Sequence, residues 1–146
     1  MLFRSLFGLS LITGLAGGTS LATLAAAPAS PLLAVGLMLT LAGMAFKIGA
    51  APFHAWVPDT YEGAATPFVA FLSTAPKAAG FAALVSVLVI GAPWQMRAWL
   101  PAVLAIAVVT LIAGNLLAIP QTSVKRVLAY SGVAQVGYVQ IGRAHV

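Results

Sequence analysis

The sequence has no cysteine, two acidic residues and only 6% charged residues in a chain of 146. Without cysteine there is no disulfide framework, thiolate metal site or redox dithiol, and with so few acids there is no carboxylate-rich metal centre. An ordinary globular domain is about 25% charged and roughly 45–50% apolar. This chain is 62% hydrophobic with a mean hydropathy of +1.07, so it lacks the polar surface that a water-soluble body of its size requires. The formal charge is +5, but the seven basic residues are dispersed and form no stripe or arm, which argues against a nucleic-acid partner. The remaining class is a protein whose main solvent is the lipid bilayer.

What is present is a series of long apolar runs. A crossing helix needs about 20 mainly apolar residues, and marking where glycine, proline or charge interrupts the runs gives about four full spans plus partial ones. Leu6 to Ala16 reads as the end of a span before the turn-forming Gly17-Gly18-Thr19-Ser20. Pro31 suits a first helical turn, and Leu32 to Ala51 follows with one charge, Lys47. Pro58 to Gly63 holds both acids and reads as a boundary loop. Pro67 to Ile90 carries only Lys77, and Leu100 to Ile119 carries no charge. A last helix begins near Val124, after a polar connection ending in Lys125 and Arg126. Short connections predict antiparallel neighbours, hence an all-α polytopic transmembrane bundle with one helix discontinuous near Lys47–Pro52. The segment from Met1 to Leu24-Ala25-Ala26-Ala27 imitates a secretory signal, but the apolar chain beyond it favours a span.

Two lysines stand in the wrong solvent. An ammonium at the bilayer centre costs about 2.5–3.5 kcal/mol on insertion scales, so Lys47 and Lys77 need compensation. Snorkelling to the headgroups is credible for a lysine near a helix end and poor for one in mid-run such as Lys77. Gly36, Thr40, Gly43 and Lys47 share one helical face, as do Ser73, Lys77 and Gly80. Such small, weakly polar faces either line a hydrated path or simply let helices approach closely, and spacing alone does not separate the two. Pro52 and Pro76 are expected to break the helices beside the lysines and to free the carbonyls of Ile48 and Leu72 as acceptors. No acid lies in any span, so either the lysines work neutral or their carboxylate partner comes from outside this chain, and the second is the expectation.

The run from Phe46-Lys47-Ile48-Gly49 through Pro52-Phe53-His54-Ala55-Trp56 and Pro58-Asp59-Thr60-Tyr61-Glu62-Gly63, then Phe71-Leu72-Ser73-Thr74-Ala75-Pro76-Lys77, resembles the subunit N family of NADH-quinone oxidoreductase, respiratory complex I. Gly114-Asn115-Leu116 and Gln121-Thr122-Ser123-Val124-Lys125-Arg126-Val127-Leu128-Ala129-Tyr130-Ser131-Gly132 extend the resemblance. It implies an antiporter-like proton-conducting module in the bacterial cytoplasmic membrane, with Lys47 and Lys77 as the translocating residues. His54, Ser73 and Thr40 are the further candidates for the path or its gating. His54 reads equally as a structural hydrogen-bonding residue. The resemblance places NADH, FMN, iron–sulfur clusters and quinone in other subunits, leaves no cofactor or metal in this chain, and makes its partners the other membrane subunits, the bilayer and protons. Sister antiporter-like subunits, including those of multisubunit cation/proton antiporters, typically carry histidine where Ser73 stands; a subunit of such an antiporter or of a membrane-bound hydrogenase is the alternative. Residues 1–140 read as a fragment of one antiporter-like domain. Ile141-Gly142-Arg143-Ala144-His145-Val146 back-translates to a sequence like adapter DNA and is set apart.

Overall fold

A computed structural model describes residues 2–28 and 30–144. Among them the regular structure is helical: α1 (Leu2–Ala16), α2 (Leu21–Ala26), α3 (Pro31–Ile48), α4 (Trp56–Gly63), α5 (Thr66–Val85), α6 (Met96–Ala118) and α7 (Val124–Ala144). A π-helical stretch, Ser86–Ile90, extends α5, and a short 3₁₀ turn, Pro93–Gln95, precedes α6. Three stretches are long and apolar enough to cross a membrane: Pro31–Ile48, Thr66–Ile90 and Pro93–Ala118, with α1 a shorter apolar helix. The chain is thus an all-α, multi-pass membrane protein. α7 has the length of a span, 21 residues, but Lys125, Arg126, Gln135 and Gln140 keep it out of that apolar group. The adapter-like end lies partly on α7 and partly, at residues 145–146, outside the described residues.

The chain divides into two compact units, Met1–Met44 with Gly80–Pro101, and Ala45–Ala79 with Ala102–Val146. In the first, Pro31 opens α3 and the Ser30 hydroxyl accepts the Leu33 N–H at 3.1 Å, a side-chain cap for an otherwise orphaned donor. The apolar core gathers Ile12, Leu24, Leu33, Leu37 and Ala92. α1 lies directly on the small-residue face of α3. A Cβ on Gly8 would stand 2.8 Å from the Gly36 carbonyl and 2.7 Å from the Thr40 hydroxyl, and one on Gly43 would collide with Ser5. Gly36, Thr40 and Gly43 therefore act here as a close-packing stripe, in the way small residues let membrane helices approach.

In the second unit, Val57, Tyr61, Ala129 and Val133 form a core between α4 and α7. Pro58 to Gly63, expected as a loop, lies within α4, an eight-residue helix that buries Val57, Pro58 and Tyr61 on one face and leaves Asp59 and Glu62 on the other. α6 points Leu104, Val108, Ile112 and Leu116 outward at four-residue intervals, an apolar face suited to lipid or to further helices.

Candidate functional site

The discontinuity expected at Lys47–Pro52 is present, but glycine rather than proline ends the helix. Gly49 has φ +77°, the left-handed conformation that glycine adopts without a Cβ penalty. Its N–H bonds the Phe46 carbonyl at 3.2 Å, and the Ala50 N–H bonds the Ala45 carbonyl at 2.8 Å, closing α3 with a Schellman motif three residues before Pro52. The Ala51–Pro52 peptide is cis. Residues 49–55 form turns before α4 begins.

Interior polar backbone in this interruption is satisfied by side chains from either side. The indole N–H of Trp56 donates to the Phe46 carbonyl at 3.1 Å, and its ring lies 5.6 Å from that of Phe46. From α6, the fully buried Thr110 hydroxyl accepts the Ala51 N–H at 3.0 Å and donates to the Ile106 carbonyl. Thr110→Val keeps the side-chain shape but leaves a buried N–H unpaired, a penalty of about 1–3 kcal/mol. The expected result is a lower thermal-unfolding midpoint and faster hydrogen exchange at the Ala51 amide, with Thr110→Ser close to the parent.

Lys77 stands near the middle of the 25-residue span Thr66–Ile90 and is half-buried. Its ammonium donates to the Gly132 carbonyl of α7 at 3.2 Å and lies 5.9 Å from the centroid of the Tyr61 ring of α4. Lys77 is thus held by a peptide dipole and an aromatic face, both of which favour a cation. A Cβ on Gly132 would stand 3.0 Å from the lysine nitrogen, so the ammonium lies against the space that glycine leaves open. The acceptor expected for Lys77 was instead the Leu72 carbonyl freed by Pro76. α5 runs through Pro76 without a break, at the loss of the backbone hydrogen bond that proline cannot donate. Ser73 spends its hydroxyl on the Ala70 carbonyl at 2.7 Å.

Lys47 occupies the last turn of α3, exposed, with no hydrogen bond or ion pair among the described residues. A cation at that position is favoured by the carbonyl end of the helix. No bond joins Lys47 to Lys77. His54 sits in the turns outside the three spans, half-buried. Its Nδ1 is buried without a partner among the described residues, and its ring meets Tyr130 edge-on at 6.3 Å. Burial pushes its pKa below the usual histidine value, favouring the neutral ring. Thr40 belongs to the first unit, is 1% exposed, and donates to the Gly36 carbonyl at 2.9 Å.

Asp59 and Glu62, expected in a loop, and Arg126, expected at the end of a polar connection, form a three-way ion pair between α4 and α7. The Arg126 Nη2 donates to Asp59 at 2.8 Å and its Nε donates to Glu62. The hydrogen bond to Glu62, then the two carboxylate charges, raise the Arg126 pKa. The readable signal was the three-residue spacing of the acids, which puts both on one helix face. Both acids of the chain are committed here, and neither reaches a lysine.

Residues 3–145 match the family described as NADH:quinone oxidoreductase/Mrp antiporter, transmembrane. A similar curated protein is NADH-quinone oxidoreductase subunit N of Heliobacterium modesticaldum, 52% identical over 94% of this chain and 29% of the relative. Among solved structures, a chain of respiratory complex I from Thermus thermophilus aligns with TM-score 0.79 at 40% identity, covering 94% of this chain and 30% of its own length. A chain of the Mrp complex from Dietzia sp. aligns with TM-score 0.89 at 26% identity, covering 97% and 27% respectively. The chain therefore spans about three tenths of the length of such relatives.

Proposed function

The chain belongs to the NADH:quinone oxidoreductase/Mrp antiporter transmembrane family, and from that premise we propose that it is part of a subunit N that moves protons across the bacterial cytoplasmic membrane. Energy released by NADH-to-quinone electron transfer in other subunits changes the proton occupancy of Lys77 and Lys47. NADH, FMN, iron–sulfur clusters and quinone belong to those subunits, and this chain contributes proton-carrying side chains within the membrane. Its partners are the other membrane subunits of the complex, one of which, or another segment of this subunit, supplies the carboxylate that the lysines lack.

The observation that carries the reading is Lys77 itself: an amine halfway along an apolar span, seated on a carbonyl and a ring, with no acid in reach. Intramembrane ionisable groups of this kind mark ion pathways, because their cost is otherwise uncompensated. The broken helix ending beside Lys47 supplies the irregular backbone that membranes tolerate where it lines a cavity. Lys77→Ala in the full-length assembled complex is the test, with proton pumping measured separately from NADH oxidation and assembly. Pumping through this subunit is expected to fall severalfold in an intact complex, and wild-type pumping would reduce the chain to a scaffold. The likeness to the Mrp complex supports a second reading, a subunit of a cation/proton antiporter or membrane-bound hydrogenase. Proton movement that follows a sodium gradient and ignores NADH would select it.

A further inference from the structure

Resting on the proton-transfer reading of Lys77, we infer that Arg126 is a positioning residue for that lysine: by joining Asp59 and Glu62 it fixes the register of α4 on α7 that brings Tyr61 and Gly132 together around one ammonium. The seat has two halves on different helices. α4 supplies the Tyr61 ring and α7 the Gly132 carbonyl, while the lysine arrives on α5. Neither half works unless the two helices hold a common alignment.

The apolar contact between them, through Val57, Tyr61, Ala129 and Val133, holds α4 on α7 without a directional bond. Arg126 adds the directional contact. Its planar fork engages Asp59 through Nη2 at 2.8 Å and Glu62 through Nε, and the two acids present themselves on one face of α4. Arg126 stands six residues before Gly132, about 9 Å along the α7 axis at 1.5 Å per residue. A slip of one residue moves the carbonyl by about 1.5 Å, enough to break the bond to Lys77. Exposed ion pairs contribute little to stability, and here the acids are largely solvated. The consequence of losing Arg126 is thus geometric, and the fold survives it.

The test uses the full-length subunit in its assembled complex and compares Arg126→Ala, Arg126→Lys and Lys77→Ala. Two quantities are read: the rate at which a small membrane-permeant amine reagent labels Lys77, quantified by mass spectrometry, and proton pumping at matched NADH oxidation. In Arg126→Ala, Lys77 is expected to label severalfold faster while Lys125 is unchanged. Pumping is expected to fall in the same direction as in Lys77→Ala but less far, since a misplaced amine still carries a proton. Arg126→Lys recovers part of both, since an ammonium engages one carboxylate at a time where guanidinium spans two. Unchanged Lys77 labelling in Arg126→Ala overturns the inference. So does wild-type pumping in that variant when Lys77→Ala has lost it. Wild-type pumping in Lys77→Ala overturns the proton-transfer reading instead, and the labelling then decides the role of Arg126 alone. If Arg126→Ala fails to assemble, Glu62→Ala removes one arm of the fork and is expected to move both readouts in the same direction.

Discussion

Lys77→Arg is expected to slow proton transfer through this subunit by about a hundredfold, the lower end of what a positioned proton-transfer group contributes, and to do so more completely than Lys77→Ala. Arginine retains the charge, donates to the Gly132 carbonyl and lies over the Tyr61 ring as lysine does. It does not give up its proton in a protein. The alanine variant leaves room for water to bridge the gap, whereas a permanent cation fills the seat and repels the incoming proton. The comparison separates two roles that a single alanine substitution confuses, a fixed charge and an exchangeable proton. It is read as proton release per NADH oxidised in vesicles bearing the assembled complex. An arginine variant that pumps normally would assign Lys77 an electrostatic or structural role.

The largest expected loss of stability comes from Gly114→Val. A Cβ there would stand 2.7 Å from the Ala134 nitrogen, 2.9 Å from its Cα and 3.0 Å from its Cβ, and the obstructing atoms are chiefly backbone. Since helix backbone does not yield locally, α6 and α7 must part. Overpacking of this kind costs about 1–3 kcal/mol, and a branched residue belongs at the upper end. The expected result is a clearly lower thermal midpoint in detergent. Gly137→Ala on α7 is the milder comparison, because there the nearest atom, 2.7 Å away, belongs to the Leu111 side chain and the one backbone atom, the Ala107 carbonyl oxygen, stands 3.1 Å away. An unchanged midpoint in Gly114→Val would show that α6 and α7 are not held this closely.

The sequence made the spans legible because membrane crossing is written in runs of one composition, and Pro31 and Lys77 stand where those runs predict. It made the discontinuity legible but misplaced its cause. Pro52 is the conspicuous breaker, yet Gly49 adopts the left-handed turn and closes α3 first. Pro76 is equally conspicuous, yet α5 continues through it at the loss of one backbone hydrogen bond. α4 was read as a loop because two acids and a proline outweigh two buried side chains in so short a segment. The contacts that define the site were illegible for a different reason. Lys77 meets Gly132 across 55 residues, Ala51 meets Thr110 across 59, and Arg126 meets Glu62 across 64. Periodicity reports which residues share a face of one helix. It carries no information on which face of another helix comes to meet them. Thr40 illustrates the limit, since its stripe was compatible with a wet path or with dry packing and α1 occupies it at Gly8.

The seat beneath Lys77 contains a peptide group and a π cloud, and neither bears net charge. Dissolved electrolyte weakens attractions between separated ions, with a Debye length of about 10 Å at 0.1 M, but it has no comparable hold on a contact between an ammonium and a dipole. Occupancy at this position is therefore insulated from the salinity of the surroundings. Under the proton-transfer role proposed above, a cell bathed in dilute fluid and one in brine would present the same seat to the Lys77 ammonium, and any tuning by environment would have to enter through a carboxylate supplied from elsewhere.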